Sequence, residues 1–358
     1  MEFFKKETRT ALEAIEYAQW IAHAPIVFQA TRSLRNNGIL QAIQDAGKNG
    51  LTQQEIAATV KLPEYGVRVL LESGLGIGLL LENDNRYTLT KTARFILSDN
   101  MTRVNMDFVN DVCYKGLFYL DESIKNEKPE GLKVFGNWKT VYEALSQLPE
   151  DVQKSWFGFD HYYSDDAFPL VLPLVFKNNP KKILDIGGNT GKWSLACVKY
   201  NPDVHMTIVD LPGQVNMAKA NVEKQGFSDR ISFYETNILD ENQQLPKGYD
   251  AIWMSQFLDC FSEKEITSIL NRCYKAINED GIVYILEPFW DRQRFEAAAF
   301  SLQQTSLYFT TIANGNSQMY HSEVFIKCIH AANFEVVEQI DQIGVSQSLL
   351  KCRKKKQT

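Results

Sequence analysis

A glycine-rich segment flanked by acidic residues is the part of the chain whose residue types and spacing most clearly indicate chemistry. Asp185 precedes Gly187, Gly188 and Gly191, and this segment follows a predicted buried strand and leads into a predicted helix. Glycines at such a turn let the backbone approach a ligand closely, and ligands of open α/β sheets bind beyond the carboxyl ends of the strands. A second acid, Asp210, ends the next predicted strand, where a carboxylate can hold a ribose diol.

The position of the first acid helps to distinguish between kinds of nucleotide site. A dinucleotide site has an apolar strand before its glycines and a third glycine that opens the helix. Here Asp185 comes just before the glycines, and Asp210 ends the following strand. Together these residues favour a nucleoside without phosphates over a dinucleotide or a plain tight turn.

The elements that position these residues can be predicted from hydrophobic patterning. Beyond residue 181 the sequence alternates helices with predicted strands at 182–186, 204–211, 231–235, 250–254 and 282–286. The capping box of Ser262 and Glu265 begins the helix before the last of these strands, and Gly281 follows the end of that helix. Two final strands, 334–340 and 346–352, are joined by a short loop and should be antiparallel. We therefore expect a mostly parallel, doubly wound, seven-stranded sheet in an α/β domain.

The first hundred residues have a different pattern, with predicted helices followed by a hairpin. Thr52 and Glu55 form a capping box, Pro63 starts the next helix, and 83–85 is a turn signal between two short strands. This order is typical of a winged helix. We predict three parts: a winged-helix-like domain at 1–100, a helical aromatic-rich connector at 101–175, and the α/β domain at 176–358. The connector's aromatic residues either pack between domains or line a pocket for a flat aromatic ligand.

Composition restricts the possible classes of protein. The net charge of −6 argues against a nucleic-acid or anionic-membrane partner, and no stretch is long and apolar enough for a membrane span. The N-terminus lacks the apolar run of a signal peptide, and the six cysteines form no C-x-x-C pair, so we expect a cytoplasmic protein with reduced thiols. The five histidines lack zinc-site spacing, and we expect no metal.

The segments 183–191 and 210–212 resemble the two cofactor signatures of small-molecule O-methyltransferases of the caffeate and hydroxyindole type. The resemblance covers most of the chain, because 51–90 is similar to that family's winged-helix dimerisation domain. It implies a homodimer, the cofactor S-adenosylmethionine with S-adenosylhomocysteine as product, and a small aromatic or polyketide-like acceptor with a hydroxyl group. Methyl transfer to a phenolic hydroxyl is therefore the expected activity.

The resemblance also assigns roles to individual residues. Gly187 and its loop would approach the methionine part of the cofactor, and Asp210 would bind the ribose hydroxyls. Asn237 and Ile238 fall where the family has an acid and an apolar residue beside the adenine. Ser255 falls where plant members have a lysine near the cofactor. The resulting set of cofactor-binding residues is Asp185, Gly187, Gly188, Gly191, Asp210, Leu211, Asn237, Ile238, Ser255 and Gln256.

The chain departs from the family at the catalytic base. Asp259 occupies the position of the family's catalytic histidine, and the glutamate that steadies this histidine falls at Gln318 or Met319. Glu287, at the end of the fifth strand, matches another acid of the active site. The pKa of an aspartate is normally about 2.6 units below that of histidine, which weakens it as a base for a phenol by about 3.5 kcal/mol. We predict Asp259 and Glu287 as catalytic residues, with burial or an acidic acceptor compensating.

Other functions remain open at this point. Methylation of a phenol ring at carbon would tolerate the missing histidine, and so would a relative that binds S-adenosylmethionine but performs hydroxylation or decarboxylation. A winged-helix DNA-binding regulator is less favoured, because the expected recognition helix 63–73 has one base, Arg68, against Glu64 and Glu72.

Overall fold

The computed structural model describes residues 4–356, and the chain divides after Val109 into two compact units. The first unit is helical with one hairpin. Its elements are α1 (Ala11–Asn36), α2 (Ile39–Ala46), α3 (Gln53–Val60), α4 (Glu64–Ile77), β1 (Leu80–Asn83), β2 (Arg86–Leu89), α5 (Lys91–Ser98) and α6 (Asn100–Phe108).

Local sequence signals explain how the first unit folds. The Thr52 hydroxyl accepts a hydrogen bond from the backbone N–H of Glu55, and the Glu55 carboxylate accepts one from the backbone N–H of Thr52, as the capping box predicts. Asp84 and Asn85 have φ of 50° and 59°, which a tight two-residue hairpin requires. The predicted helices and hairpin of this unit are confirmed.

The second unit contains nine α-helices within its described residues. They are α7 (Leu120–Asn126), α8 (Val141–Ala144), α9 (Glu150–Ser164), α10 (Phe168–Phe176), α11 (Lys192–Tyr200), α12 (Pro212–Lys224), α13 (Glu263–Ala276), α14 (Glu296–Tyr308) and α15 (Ser322–Ala331). Short π-helical segments at Val109–Cys113 and Phe309–Ala313 follow α6 and α14.

A seven-stranded sheet forms the centre of the second unit. Its strands are β3 (Lys182–Ile186), β4 (His205–Asp210), β5 (Ile231–Glu235), β6 (Tyr249–Ser255), β7 (Ile277–Glu287), β8 (Phe334–Ile343) and β9 (Gln347–Lys354), in the order β5-β4-β3-β6-β7-β9-β8. The first five are parallel, and β9 pairs antiparallel with both β7 and β8. The predicted doubly wound fold is confirmed, and its strand order reverses between β3 and β6, where ligands of such sheets bind.

Successive residues of each strand point to opposite faces of the sheet, and each face has its own hydrophobic core. On one face Ile252 packs in a cluster with Ile266 and Ile269 of α13. On the other face Trp253 stacks on Trp193 of α11, with ring centroids 3.9 Å apart. Helices on both faces hold the carboxyl ends of β3 and β6 in place.

One element boundary differs from the sequence-based expectation. Helix α13 ends at Ala276, and Gly281 lies inside β7 instead of directly after the helix. Tyr249 pairs with Ile277 whereas Ala251 pairs with Ile282, so the four residues 278–281 form an irregularity in the strand. A glycine in such a bulge and a glycine after a helix look alike in sequence, because both mark a break in periodicity.

Candidate functional site

The glycine loop between β3 and α11 has a backbone that demands glycine. Gly187 and Gly191 have φ of 76° and 80°, and a Cβ at Gly187 would overlap the ring of Phe257. Asn189 also has a positive φ, 48°, which asparagine tolerates better than most residues. The loop therefore leaves its backbone exposed at the sheet edge, because glycine has no side chain to block the approach of a ligand.

Asp185 lies beneath this loop and is 2% exposed. It accepts a hydrogen bond of 2.6 Å from the hydroxyl of Ser194, and a Cβ at Gly188 would lie 3.0 Å from its Oδ2. Burial raises the pKa of Asp185 to about 7, and the nearby Asp210 raises it further while Ser194 lowers it. The carboxyl group thus links β3 to α11 and supports the loop from below.

Asp210, at the end of β4, reaches the loop from the neighbouring strand. Its Oδ2 accepts a hydrogen bond of 2.8 Å from the Asn189 N–H, and its Oδ1 accepts one of 2.7 Å from the Leu211 N–H. Burial raises the pKa of Asp210 to about 6, even though these two backbone donors act in the opposite direction. The parallel pairing of β3 and β4 brings together the two acids and the glycines that the sequence singled out.

A cleft opens beside the loop, on the side of β6 and α9. It has about 520 Å³ of empty space, part of which is open to solvent. The lining includes Asp185, Gly187 and Gly188 from the predicted set, together with Ser255 and Gln256 at the end of β6. It also includes residues that the sequence analysis did not select: Asp160, Ser164, Asp165, Phe168, Lys192, Trp193 and Trp253.

Polar atoms beside the cleft lack hydrogen-bond partners. Within residues 4–356, Ser255 Oγ, Gln256 Oε1 and the indole N–H of Trp193 are buried and make no hydrogen bond. Buried polar groups are normally paired, so such atoms at one cleft fit a polar ligand that supplies the missing partners. The glycine cradle and these atoms together fit the nucleoside and amino-acid parts of S-adenosylmethionine.

The segment after β5 forms a tight, anchored turn. The Asn237 side chain is exposed, and its Oδ1 accepts a 3.0 Å hydrogen bond from the Leu239 N–H. Ile238 is 8% exposed, and its carbonyl accepts a hydrogen bond from the buried guanidinium of Arg272. The sequence analysis did not identify Arg272, which lies on α13 and anchors this turn through a contact distant in sequence. The amide oxygen of Asn237 retains a second lone pair for a ligand.

Two buried carboxyl groups lie at the ends of β6 and β7. Glu287 is 1% exposed, and its Oε1 accepts hydrogen bonds of 3.0 Å and 2.8 Å from the N–H groups of Phe257 and Leu258. Asp259, in the turn that these bonds hold, is 4% exposed. Burial raises the pKa of Asp259 to about 7, with a further increase from Asp160, and burial and Asp259 raise that of Glu287 well above its usual value.

Aromatic and thiol groups surround this acid pair. Cys260 Sγ lies 3.4 Å from Asp259 Oδ1, and the charge of Asp259 contributes to the raised pKa of Tyr142. The hydroxyl of Tyr308 accepts a 2.7 Å hydrogen bond from the indole of Trp156. The connector thus brings Tyr142 close to Asp259.

The remaining candidates occupy other surroundings. Two histidines that could be considered as alternative bases lie apart from Asp259 in their contacts: His161 lines the cleft, and His321 caps α15 by accepting a hydrogen bond from the Glu323 N–H. Met319, at the position expected for the family's glutamate, is buried. Among residues 4–356, no cluster of His, Cys, Asp and Glu could hold a metal ion. No helix of this part of the chain is both long and apolar enough to span a bilayer.

Comparison with known proteins gives two family matches. Residues 16–87 match the family described as Dimerisation2-like domain, and residues 119–334 match the family described as O-methyltransferase domain. The chain is 24% identical over 336 residues to L-tyrosine C(3)-methyltransferase of Streptomyces lavendulae, covering 92% of this chain and 90% of that protein.

Two further relatives agree with these matches. The 3-hydroxy-5-methyl-1-naphthoate 3-O-methyltransferase of Streptomyces sahachiroi is 24% identical, over 69% of this chain and 73% of that protein. The solved structure of PigF with SAH is 19% identical and superposes with a TM-score of 0.70, covering 97% of this chain and 100% of that chain. The similarity to the PigF structure shows that the two chains share a fold.

Proposed function

The chain belongs to the O-methyltransferase domain family and is an S-adenosylmethionine-dependent methyltransferase, and from this premise we propose that it methylates a phenolic hydroxyl of a small aromatic molecule. When bound, S-adenosylmethionine supplies the methyl group as an electrophile on a sulfonium. The observation that carries the proposal is the buried pair of Asp259 and Glu287 beside aromatic residues at the carboxyl edge of the sheet. The relatives that act on hydroxynaphthoate and tyrosine support an aromatic acceptor.

The cofactor site in this proposal uses the residues that meet at the ends of β3, β4 and β6. The Gly187, Gly188 and Gly191 backbone would approach the cofactor, with Asp185 supporting the loop from below. Asp210 would accept hydrogen bonds from the ribose hydroxyls, because its carboxylate lies at the edge of the loop. The remaining contacts would come from Leu211, Asn237, Ile238, Ser255 and Gln256, of which Ser255 and Gln256 have buried oxygen atoms still to be paired.

Asp259 would accept the proton of the phenol. Burial raises its pKa well above that of a free aspartate, which makes it a stronger base. Glu287 would position it, because Glu287 accepts the two hydrogen bonds that fix the turn. Within residues 4–356, no Lys, Arg or His forms an ion pair with either acid, so this environment favours a neutral phenol over an anionic acceptor.

The test is product formation by Asp259→Asn with a panel of simple phenols. Loss of the base should lower kcat by about 10²- to 10⁴-fold, while affinity for S-adenosylhomocysteine stays within about twofold. Asp203→Asn serves as a control, because Asp203 is an exposed acid that pairs with Lys181 on the surface. Full activity of Asp259→Asn on every accepted phenol would refute the catalytic assignment.

Methylation at a ring carbon is the second candidate. The relative from Streptomyces lavendulae is a C(3)-methyltransferase of tyrosine and aligns with 92% of this chain. A ring carbon ortho to a phenol becomes acidic after methylation, so a carboxylate can remove its proton. The same acid pair could serve this reaction. Methylation at oxygen and methylation at carbon are therefore distinguished by the position of the methyl group in the product.

We also propose that the chain acts as a homodimer. The match of residues 16–87 to a dimerisation-like family supports it, and so does α1. This helix exposes Leu12, Ile15, Tyr17, Trp20, Ile21 and Ile26. Exposed apolar patches of this kind mark interaction surfaces, and obligate dimers bury more than about 2,000 Å². The six free cysteines are consistent with a reducing, cytoplasmic location.

A further inference from the structure

The cleft beside the glycine loop contains acidic groups that the cofactor's adenosine does not explain. Asp210 lies at the β4 side of the loop, where the ribose would bind, and the cleft opens toward β6 and α9. S-adenosylmethionine has a second polar end, an amino acid with one ammonium and one carboxylate. With the ribose at Asp210, that end extends into the cleft.

Three carboxyl groups line the cleft, and two of them are engaged. Asp185 accepts the 2.6 Å hydrogen bond from Ser194 and is 2% exposed. Asp165 forms a 2.7 Å ion pair with Lys192. Asp160 is different. Among the described residues it accepts one hydrogen bond, of 3.5 Å, from the Asn189 amide, and His161 Nδ1 lies 3.8 Å from it. Lys192 and Asp165 are close enough to influence its charge, but neither forms an ion pair or hydrogen bond with it.

We propose that Asp160 binds the α-ammonium group of the cofactor's amino-acid end. Its side chain is three-quarters buried, on the face of α9 that covers the loop, and it contacts Asn189 of that loop. Burying a carboxylate without a strong hydrogen-bond donor costs free energy when the site is empty. A bound cation would supply a charge-assisted hydrogen bond and stabilise the carboxylate. Nothing in the sequence motif marks Asp160, because α9 lies outside the βαβ unit.

The electrostatics of Asp160 agree with this role. Burial raises its pKa to about 7, and the neighbouring Asp165 raises it further, while Lys192 lowers it. An ammonium group at hydrogen-bond distance would lower the pKa again by stabilising the charged form. The unpaired indole N–H of Trp193, in the same cleft, adds a buried donor whose missing partner a carboxylate oxygen could supply.

The test compares three ligands that differ only at the amino-acid end. They are S-adenosylhomocysteine, its analogue without the α-amino group, and 5′-methylthioadenosine, which lacks the whole amino acid. Calorimetry on the wild type should show S-adenosylhomocysteine binding roughly 10- to 100-fold more tightly than the analogue without the amino group. In Asp160→Asn this preference should fall by about tenfold or more, while 5′-methylthioadenosine binds within about twofold of wild type.

Two further variants make the result specific. Asp210→Asn should weaken all three ligands alike, because each retains the ribose, and Asp203→Asn should change none. If Asp160→Asn keeps the preference for the amino group, or weakens all three ligands equally, the proposal is overturned. No acceptor is present in these measurements, so failure of the proposed phenol methylation would leave their outcome unaffected.

Discussion

At the scale of single residues, the same side chain type serves different purposes according to burial. Asp185 supports a loop, Asp210 lies where a diol would bind, and Asp259 lies among aromatic groups beside a second acid. An ordinary aspartate is a weak base, so from the sequence alone Asp259 would be expected to be a poor proton acceptor. Burial raises the pKa of Asp259 to about 7, which makes it a stronger base.

This basicity leads to a prediction for the pH dependence of the rate. Asp259 must be ionised to accept a proton, and its pKa is raised, so kcat should fall as the pH drops through about 7. An unperturbed aspartate would instead keep the rate constant down to about pH 4. A rate–pH profile of the wild type with an accepted phenol measures this directly, and the limb near pH 7 should vanish in Asp259→Asn. A wild-type rate that falls only near pH 4 would show that Asp259 does not act as a base with a raised pKa.

The proximity of Asp185 and Asp210 could be predicted from the sequence, whereas their neighbours could not. Asp185 and Asp210 lie at the ends of two strands whose hydrophobic patterns are clear in the sequence. The pairing of β3 with β4 then brings the two acids close together. Asp160 and Arg272 reach the site from helices far along the chain. Their positions beside these segments depend on long-range packing, which hydrophobic periodicity does not reveal.

At the scale of elements, the β3–α11 turn has a geometry that a side chain at Gly187 would disturb. A Cβ at Gly187 would overlap Phe257, and its φ of 76° disfavours any L side chain. We predict that Gly187→Ala weakens S-adenosylhomocysteine binding by about tenfold or more, because either the loop or the Phe257 ring must move. Calorimetry measures the change.

Gly213 provides a matched control within α12. A Cβ there would meet nothing within 4 Å, and the residue lies in the first turn of the helix. Gly213→Ala should leave affinity unchanged and keep or slightly raise Tm, since alanine restricts the unfolded chain. Equal affinity of the Gly187→Ala and Gly213→Ala variants would show that the loop does not approach the cofactor.

Element boundaries were predicted best where local signals are strong. The capping boxes at Thr52 and Ser262 fixed the starts of α3 and α13, and the final antiparallel pair followed from a short loop. The break at Gly281 was assigned to a helix end although it lies in a strand bulge, because the two share the same local signal.

At the scale of the whole molecule, the apolar surface of α1 leads to a prediction about assembly. Light scattering at low micromolar concentration should give about twice 41.0 kDa. Ile15 and Ile21 are each more than half exposed in the single chain. Replacing both with glutamate should produce a monomer, because a charge buried in an apolar interface is strongly unfavourable.

Val337→Glu is the control for this experiment. Val337 is an exposed apolar residue on β8, away from α1 in sequence. This variant should remain a dimer with unchanged Tm. A wild-type monomer, or a dimer that survives both glutamates on α1, would rule out this helix as the interface.

We propose that the protein transfers a methyl group from S-adenosylmethionine to a phenolic oxygen. The most direct measurement uses S-adenosylmethionine carrying a ¹³C-labelled methyl group, a panel of simple phenols, and NMR of the products. Methyl transfer to oxygen should give one labelled methyl ether for each S-adenosylhomocysteine formed. Label attached to a ring carbon, or no transfer to any phenol although the protein binds S-adenosylhomocysteine, would contradict it.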